Sequence, residues 1–508
     1  MMTTKDEMTR PKLPQIAYAQ GQTDSANAER FIDEYHRELL HVPPWKKWLS
    51  WDGTRWANDG DVGARQRAKR YAKSLWKYTG KLGHLLDKDE LGKLISFIRA
   101  TNQTPKMAAF LSLAEVDERV VCPVDELNAD PTLLNCVNGT VDLVTGKLRP
   151  HSPADRITQI CSVAYDANAV CPEWIKTLGL IFDDDQSLVS DVERLLGYSL
   201  SGDTGEQLLP IAFGNGFNGK STIWNVVAEL LGDYASLASE ELLLGDKSNH
   251  PTEKAALYQM RFVAISEPQK GSRLKTSRMK ELTGDRLITA RRMHEDFWSF
   301  QRTHTFWLST NHLSKIDDTD EGCWRRVKLI PFSVDVRTKV KPIPDFDKWL
   351  VQHEGPGILA WMVRGYLDYK EYGLQEPESV QRATAGYRSD SDALGEFLAE
   401  FCIEERGAEV LATELFRVYT EIHKGKWSQT AFGKAVAERF KKSRSNSGQN
   451  RKKTVYEGLR FRELDETDSE TENHQKHDEN TECPQLPTVR EVLPSSTVPN
   501  RSIFRKSF

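Results

Sequence analysis

The chain has no apolar run near the roughly eighteen residues that a membrane-crossing helix needs. Its polar N-terminus also lacks the apolar core of a secretory signal. Membrane and secreted classes are set aside on these grounds, and the expected location is cytoplasmic. Cysteine is sparse, with seven in 508 residues, odd in number and none in a CxxC pair. That excludes a disulfide framework or a cysteine zinc site as the organising device. Charge of one sign is not in excess, since 69 Lys+Arg stand against 74 Asp+Glu for a net −5. The total neither requires nor forbids nucleic acid, so the location of charge must decide. No internal repeat is present. A chain of this length is too long for one core and suggests about two to four domains.

The first twenty-odd residues are polar and carry Pro11 and Pro14, reading as a disordered tail over 1–25. Apolar spacing through Phe31, Ile32, Tyr35 and Leu39 predicts a helix over Ala26–Leu40. Trp45, Trp48, Trp51 and Trp56 then flank an Asp52-Gly53 step, a hairpin signal. Such tryptophans either stack on bases or close a small β core, and packing is the preferred reading. Residues 62–120 read as helical, with cations Arg65, Lys69, Arg70 and Lys73 taken as a solvated face. Short strands follow over 133–165 and helices over 172–200. From Gln207 to Phe332 apolar runs alternate with helical patterns, as in an α/β domain. Residues 346–390 are again helical. From Glu463 to Cys483 nine acids face the single Lys476, so 463–508 reads as a disordered acidic tail.

The strongest motif is Gly214-Asn215-Gly216-Phe217-Asn218-Gly219-Lys220-Ser221, a full GxxxxGK[ST] match. The strand-like Leu209–Phe213 precedes it and the amphipathic Thr222–Leu231 follows, which is the required strand–loop–helix setting. Backbone N–H groups of such a loop close around phosphates at a helix N-terminus. Lys220 would neutralise the β/γ-phosphates of ATP, and Ser221 would ligate Mg²⁺. Residues 214–222, including Thr222, are the candidate nucleotide cradle. Glu267 follows the apolar run Phe262–Ile265 and is the candidate carboxylate for the metal or the attacking water. Asn311, at the tip of Thr305–Thr310, is a candidate γ-phosphate sensor. Arg325 and Arg326, before Val327–Pro331, are candidate arginine fingers reaching a neighbouring subunit.

In that order, with Lys280-Glu281-Leu282-Thr283-Gly284-Asp285 between, these parts resemble superfamily 3 helicases. The likeness is to the phage/plasmid and poxvirus primase–helicase family, and it extends to the flanks. The resemblance implies an α/β P-loop core of AAA+-like type over 201–390, preceded by a helical and β domain over 26–200. It implies an ATP-dependent DNA helicase or translocase, with ATP and Mg²⁺ between subunits of a homohexameric ring. The ring would track single-stranded DNA, 3′ to 5′ by family analogy. Around Arg291, Arg292 and His294 the resemblance implies a pore hairpin, whose residue types suit phosphate contact. This chain has the single Glu267 where many members have paired acids, and Asp285 could share metal or water positioning. No metal-binding carboxylate pair precedes the helical region, so the expectation is the helicase portion without a primase-polymerase domain, working beside a separate primase.

Residues 391–462 read as three helices and a wing. Ala412–Tyr419 is the second helix and Ser428–Val436 the third. Nine Lys/Arg stand against two acids from Glu438 to Arg462. Among them Lys441, Lys442, Arg444, Arg451, Lys452 and Lys453 are candidate DNA contacts of a winged helix. Two other functions remain open at this point: an ATP-controlled DNA-binding or initiator assembly protein, and a bifunctional primase–helicase.

Overall fold

The computed structural model describes residues 21–84, 86–244, 251–265, 273–291, 296–314, 316, 321–423, 428–445 and 452–462. Residues 1–20, the tail from 463 onward, Glu267, Arg292, His294 and Arg451 therefore lie outside the described residues, while the end of the expected 1–25 tail is ordered, with a helix starting at Asp24. The chain divides into two compact units, Met1–Ala393 and Leu394–Phe508.

The first unit opens with α1 (Asp24–Tyr35), whose N-terminus is capped by the Thr23 hydroxyl accepting from the Ala26 N–H. The helix expected to reach Leu40 stops earlier. Leu39–Val42 is instead a buried strand, β1, because four consecutive buried residues suit a strand and Pro43-Pro44 forbids further helix. β1 pairs antiparallel with β2 (Lys47–Trp51), and β2 with β3 (Trp56–Ala57). Asp52 closes that turn by accepting from the backbone of Thr54 and Arg55. Trp48 and Trp56 are buried, in keeping with packing over base stacking. Four helices follow: α2 (Val62–Ser74), α3 (Trp76–Leu82), α4 (Lys88–Thr101) and α5 (Thr104–Ala114). Their core centres on Phe31, Tyr71 and Phe110, whose rings meet edge-on or tilted at 5.5–6.0 Å.

A meander of β4 (Leu133–Cys136), β5 (Gly139–Asp142) and β6 (Lys147–Arg149) leads into α6 (Pro172–Ile181) and α7 (Gln186–Tyr198). The exposed N–H groups at the start of α6 are satisfied from afar. Glu354 accepts from Glu173 N–H at 3.0 Å and from Trp174 N–H at 2.9 Å.

The central sheet is all parallel. Its strands are β7 (Leu209–Phe213), β8 (Ala235–Ala238), β9 (Phe262–Ile265), β12 (Thr305–Thr310) and β13 (Val327–Pro331), in the order β13-β7-β12-β9-β8. β7 continues through the glycine loop into α8 (Lys220–Leu231). The short α9 (Glu241–Leu244) and α10 (Pro251–Ala255) precede β9, and α11 (Thr276–Gly284) precedes a hairpin of β10 (Leu287–Arg291) and β11 (Phe297–Gln301). A single turn, α12 (Glu321–Trp324), leads into β13. One face of the sheet packs on α7, α8 and the long α13 (Phe346–Tyr372). The other face packs on α11 and the β10–β11 hairpin, with Tyr387 of α14 (Glu378–Ser391) in the same core. The four expected apolar runs are all strands of this sheet. The half-exposed edge strand β8, with the sequence Ala-Ser-Leu-Ala, carries too little apolar content to have been read.

The second unit runs α15 (Ala393–Phe401), β14 (Cys402–Leu411), α16 (Ala412–His423), α17 (Gln429–Arg439), β15 (Lys442–Arg444) and β16 (Thr454–Phe461). Its antiparallel sheet has the order β14-β16-β15. The sequence reading missed β14, because Glu404, Glu405, Arg406 and Glu409 give it a charged, mostly exposed face.

Asp191 on α7 is 3% exposed. Burial pushes its carboxyl up to about 7, while Arg194 and Lys328 partly oppose this. The folded state thus holds its proton more tightly than the unfolded chain. This contribution to stability is intact at low pH and is lost as pH rises from 3.8 through about 7. Asp191→Asn should raise the melting temperature at pH 8, with the gap closing by pH 4. The difference at pH 8 is expected to be on the order of 4 kcal/mol, and thermal unfolding followed across pH would check it.

Candidate nucleotide-binding site

The loop between β7 and α8 is held by close contacts that only glycine permits. A Cβ on Gly214 would lie 2.0 Å from the Phe332 carbonyl oxygen. Gly219 adopts φ +84°, and a Cβ there would lie 2.4 Å from Ile181 Cδ1. Gly214 N–H donates to Thr310 O at 3.2 Å, tying the loop to the end of β12. Asn218, 4% exposed, donates from its side-chain amide to Phe332 O at 3.1 Å. Asn218 is thus a strut of the loop, while Asn215, Gly216 and Phe217 form its exposed rim. Ser221 is exposed at the N-terminus of α8, where backbone N–H groups and the helix dipole favour an anion.

Lys220 is buried, and its ammonium donates to the Gly214 carbonyl and, at 2.9 Å, to Asn311 Oδ1. The sheet explains the meeting. β7 and β12 are adjacent and parallel with Phe213 beside Thr310, so the loop after one strand and the tip of the other share an edge. The turn after β12 is fixed by the Thr310 hydroxyl, which accepts from His312 N–H at 3.0 Å. β9 ends at Ile265 beside Leu308, near that same edge, and the candidate Glu267 lies outside the described residues. Among the described residues no cluster of three His, Cys, Asp or Glu side chains could hold a metal by itself.

The arginine pair lies at the other edge. Val327 pairs with Leu209, and Pro331 with Phe213. The arginines before Val327 are thus a full strand length, roughly 13 Å, from the start of the glycine loop of the same chain. The two differ sharply. Arg326 is 7% exposed and donates to Gly322 O and, at 2.7 Å, to Gln207 Oε1. Arg325 is exposed and reaches the same Gln207 oxygen at 3.0 Å. Gln207, which carried no signal in the sequence, joins the pair. Asp285 also belongs to this edge. Its carbonyl accepts from Arg302 at 3.2 Å, and Arg302 lies just before the start of β12. Within one chain it therefore does not join Ser221, which corrects the expectation that it shares the metal position.

The β10–β11 hairpin is a regular antiparallel ladder ending in the pair Arg291–Phe297, with the Arg291 guanidinium 5.2 Å from the Phe297 ring centre. Arg302 anchors its base by donating to Thr204 O at 2.9 Å as well as to Asp285 O. Behind that base, burial and the charge of Arg302 push His304 down to about 3, so it is neutral. Tyr258 packs on Trp298 at 4.8 Å and on Trp45 at 6.1 Å, linking the hairpin to the N-terminal sheet region.

Beside the glycine loop lies a cavity of about 300 Å³ whose lining includes Thr177, Ile181, Phe217, Thr222, Val340 and Ile343. Its rim holds Arg337, whose guanidinium sits 3.5 Å from the Phe217 ring centre. The 336–346 segment bears no motif, so sequence reading had no means of bringing it to the site.

In the second unit Lys441, Lys442 and Arg444 are exposed along the start of the β15–β16 hairpin, and Lys452 and Lys453 at its return. Lys441 pairs with Glu457 at 2.9 Å. The hairpin is closed by Ser445 N–H to Lys453 O at 3.0 Å and Lys452 N–H to Ser445 O at 2.9 Å.

Comparison with known proteins points the same way as the geometry. Residues 28–183 match the family described as "D5 N terminal like", and residues 212–326 match a family of unknown function, DUF5906. The chain is 25% identical over 354 residues to "Putative helicase L207/L206" of Acanthamoeba polyphaga mimivirus, covering 64% of this chain and 36% of that protein. It is 27% identical over 338 residues to "Putative primase C962R" of African swine fever virus (isolate Warthog/Namibia/Wart80/1980), covering 59% of this chain and 34% of that one. The chain therefore spans about a third of the length of these curated relatives. The apo C-terminal region of NrS-1 aligns at TM-score 0.36 and 14% identity, over 62% of this chain and 88% of that one, too loosely to bear on the assignment. From its D5-type N-terminal region through its P-loop sheet, the chain is similar to the superfamily 3 helicase region of viral and phage primase–helicases.

Proposed function

We propose that the chain is an ATP-dependent DNA helicase or translocase that works as a ring, with each ATP bound at the interface of two subunits. The observation that carries this is the division of the sheet. Lys220 and Asn311 meet at one edge, while exposed Arg325 stands at the other, out of reach of its own glycine loop. In this reading the loop N–H groups and Lys220 hold the phosphates, and Ser221 and Glu267 hold Mg²⁺, which supplies charge neutralisation when bound. Asn311 shares the Lys220 ammonium with the phosphates, so it reports their state to β12. Arg325 acts on the neighbour's nucleotide, and Arg326, clamped by Gln207, positions it. The apolar cavity beside Thr222 receives the base and ribose, its volume near the lower end of ligand pockets at about 300–1,000 Å³.

Nucleotide-driven shifts of β12 would move the β10–β11 hairpin, with Arg291, Arg292 and His294 contacting single-stranded DNA in the pore. A hexamer and 3′-to-5′ movement follow the family analogy, as does cooperation with a separate primase. The second unit is read as a winged helix. Its helix–strand–helix–helix–hairpin order supports this, with α17 and the basic hairpin (Lys441, Lys442, Arg444, Arg451, Lys452 and Lys453) facing DNA.

The central test is ATP hydrolysis with and without single-stranded DNA. Lys220→Ala and Arg325→Ala should each lower DNA-stimulated turnover by about a thousandfold, and mixing the two should restore part of it. No recovery on mixing would defeat the shared site, and wild-type turnover indifferent to DNA would favour an ATP-controlled assembly protein. Arg326→Ala should instead lower the melting temperature, because it strips a buried hydrogen-bonded cation from the core edge. For the cavity, Ile343→Glu should raise the KM for ATP on the order of tenfold while leaving saturated turnover near wild type. Steady-state kinetics would separate the two parameters.

A further inference from the structure

Between Val62 and Leu86 the chain carries seven Lys/Arg and no Asp or Glu. The structure separates their roles. Arg67 turns inward, 8% exposed, and donates to Glu38 at 2.9 Å. Arg65, Lys69, Arg70, Lys73, Lys77 and Lys81 all lie on the exposed side of α2 and α3. Ala64, Ala68, Tyr71, Ala72 and Leu75 are buried on the opposite side. Spacings of four residues stack cations in a row, and from Arg65 to Lys81 the row runs about 24 Å along the helical path. Trp76, 40% exposed, stands within it.

The fold gives this row no ion-paired counter-charge, although Glu34 acts on Tyr35, Tyr71 and Tyr78, and Arg70 on Tyr35. Among the described residues none of the six cations forms an ion pair. The nearby carboxylates are engaged elsewhere. Asp61 accepts from Trp48 N–H and pairs with Lys47, while Asp59 accepts from Ser50 and Gly63. Asp87 caps α4 with Glu90, Glu38 holds Arg67, and Glu34 lies beside the Tyr35 phenol, whose proton it helps to hold. Like charges four apart on a helix repel, so the row carries a cost that the isolated chain does not offset. A polyanion lying along it would. An exposed tryptophan among cations adds a stacking platform for an unpaired base, which an acidic protein surface or a closed duplex would not use.

We propose that the α2–α3 face is a second nucleic-acid contact, binding the phosphates of single-stranded DNA with Trp76 stacked on a base. Arg65, Lys69, Arg70 and Lys73 are exposed, as the solvated-face reading expects, and the proposal gives that face a ligand. It stands apart from the ATPase reading, because it requires neither nucleotide nor Lys220.

The test is equilibrium binding of a fluorescein-labelled oligothymidylate to the full chain, without ATP, over a series of salt concentrations. The fourfold variant Arg65→Gln/Lys69→Gln/Lys73→Gln/Lys77→Gln should bind at least tenfold more weakly. Its slope of log affinity against log salt should fall by about 3, at about 0.7 per lost phosphate contact. Trp76→Ala should weaken binding several-fold at an unchanged slope. Lys220→Ala should bind as wild type does, and a control replacing the exposed Lys147, Lys348, Lys370 and Arg382 by Gln should keep the wild-type slope. An unaltered slope in the ridge variant, with its melting temperature preserved, overturns the proposal. So does tighter binding of duplex that ignores Trp76→Ala. Displacement of the oligonucleotide by polyglutamate at lower charge concentration than by unlabelled DNA would replace nucleic acid with an acidic polypeptide.

Discussion

Lys220 reaches Asn311 only because β7 and β12 are neighbours that run in the same direction and end at the same edge. The parallel sheet is the constraint on which the site depends. It gathers at one edge the ends of strands separated by nearly a hundred residues of chain. It also forces whatever precedes a strand to the opposite edge. In a parallel sheet the residues before β13 and the residues after β7 cannot meet without leaving the fold. Arg325 and the glycine loop are therefore complementary halves that a single chain keeps apart.

Burial then separates two residues that sequence treats alike. Arg325 and Arg326 are adjacent, chemically identical and joined by one Gln207 oxygen, yet one is exposed and the other 7% exposed. A buried guanidinium that donates to Gly322 and Gln207 is costly to move. Arg326 therefore suits the task of a fixed support, whereas Arg325 keeps the freedom to find a partner. The same logic separates Asn218 from Asn215 within the loop, where one amide braces Phe332 and the other faces outward.

The fold was legible where local pattern and tertiary role agreed. The strands ending at Phe213, Ile265, Thr310 and Pro331 are predominantly apolar because both their faces are covered, and the glycine motif places its loop unaided. The failures have physical causes. Leu39–Val42 continues a helical periodicity, but four buried neighbours in succession demand a strand. β14 is charged because its outer face meets water, and β8 is a short edge. Asp285 is close to the metal candidates in motif order yet remote in space, since the chain crosses the sheet between them. Gln207 and the 336–346 wall of the cavity act through geometry alone, and no residue pattern marks them.

Net charge was the least informative number in the sequence, and its failure has the same origin. A total of −5 arises from blocks of opposite sign: seven cations without an acid over 62–86, nine cations against two acids over 438–462, and nine acids against one lysine over 463–483. Fields fall off within about 8–10 Å at physiological salt, so a phosphate near α2 responds to the local row and is screened from distant carboxylates. Whether a row attracts a polyanion then turns on whether the fold has already neutralised it. For Arg67 it has, through Glu38. For the six cations on the opposite side it has not: none of them forms an ion pair among the described residues, and the Asp59, Asp61 and Asp87 carboxylates are engaged by Ser50, by Trp48 and by the cap of α4. Which charges are spoken for is a property of the folded chain, and it is what turns an ordinary amphipathic helix into a surface with a preferred partner.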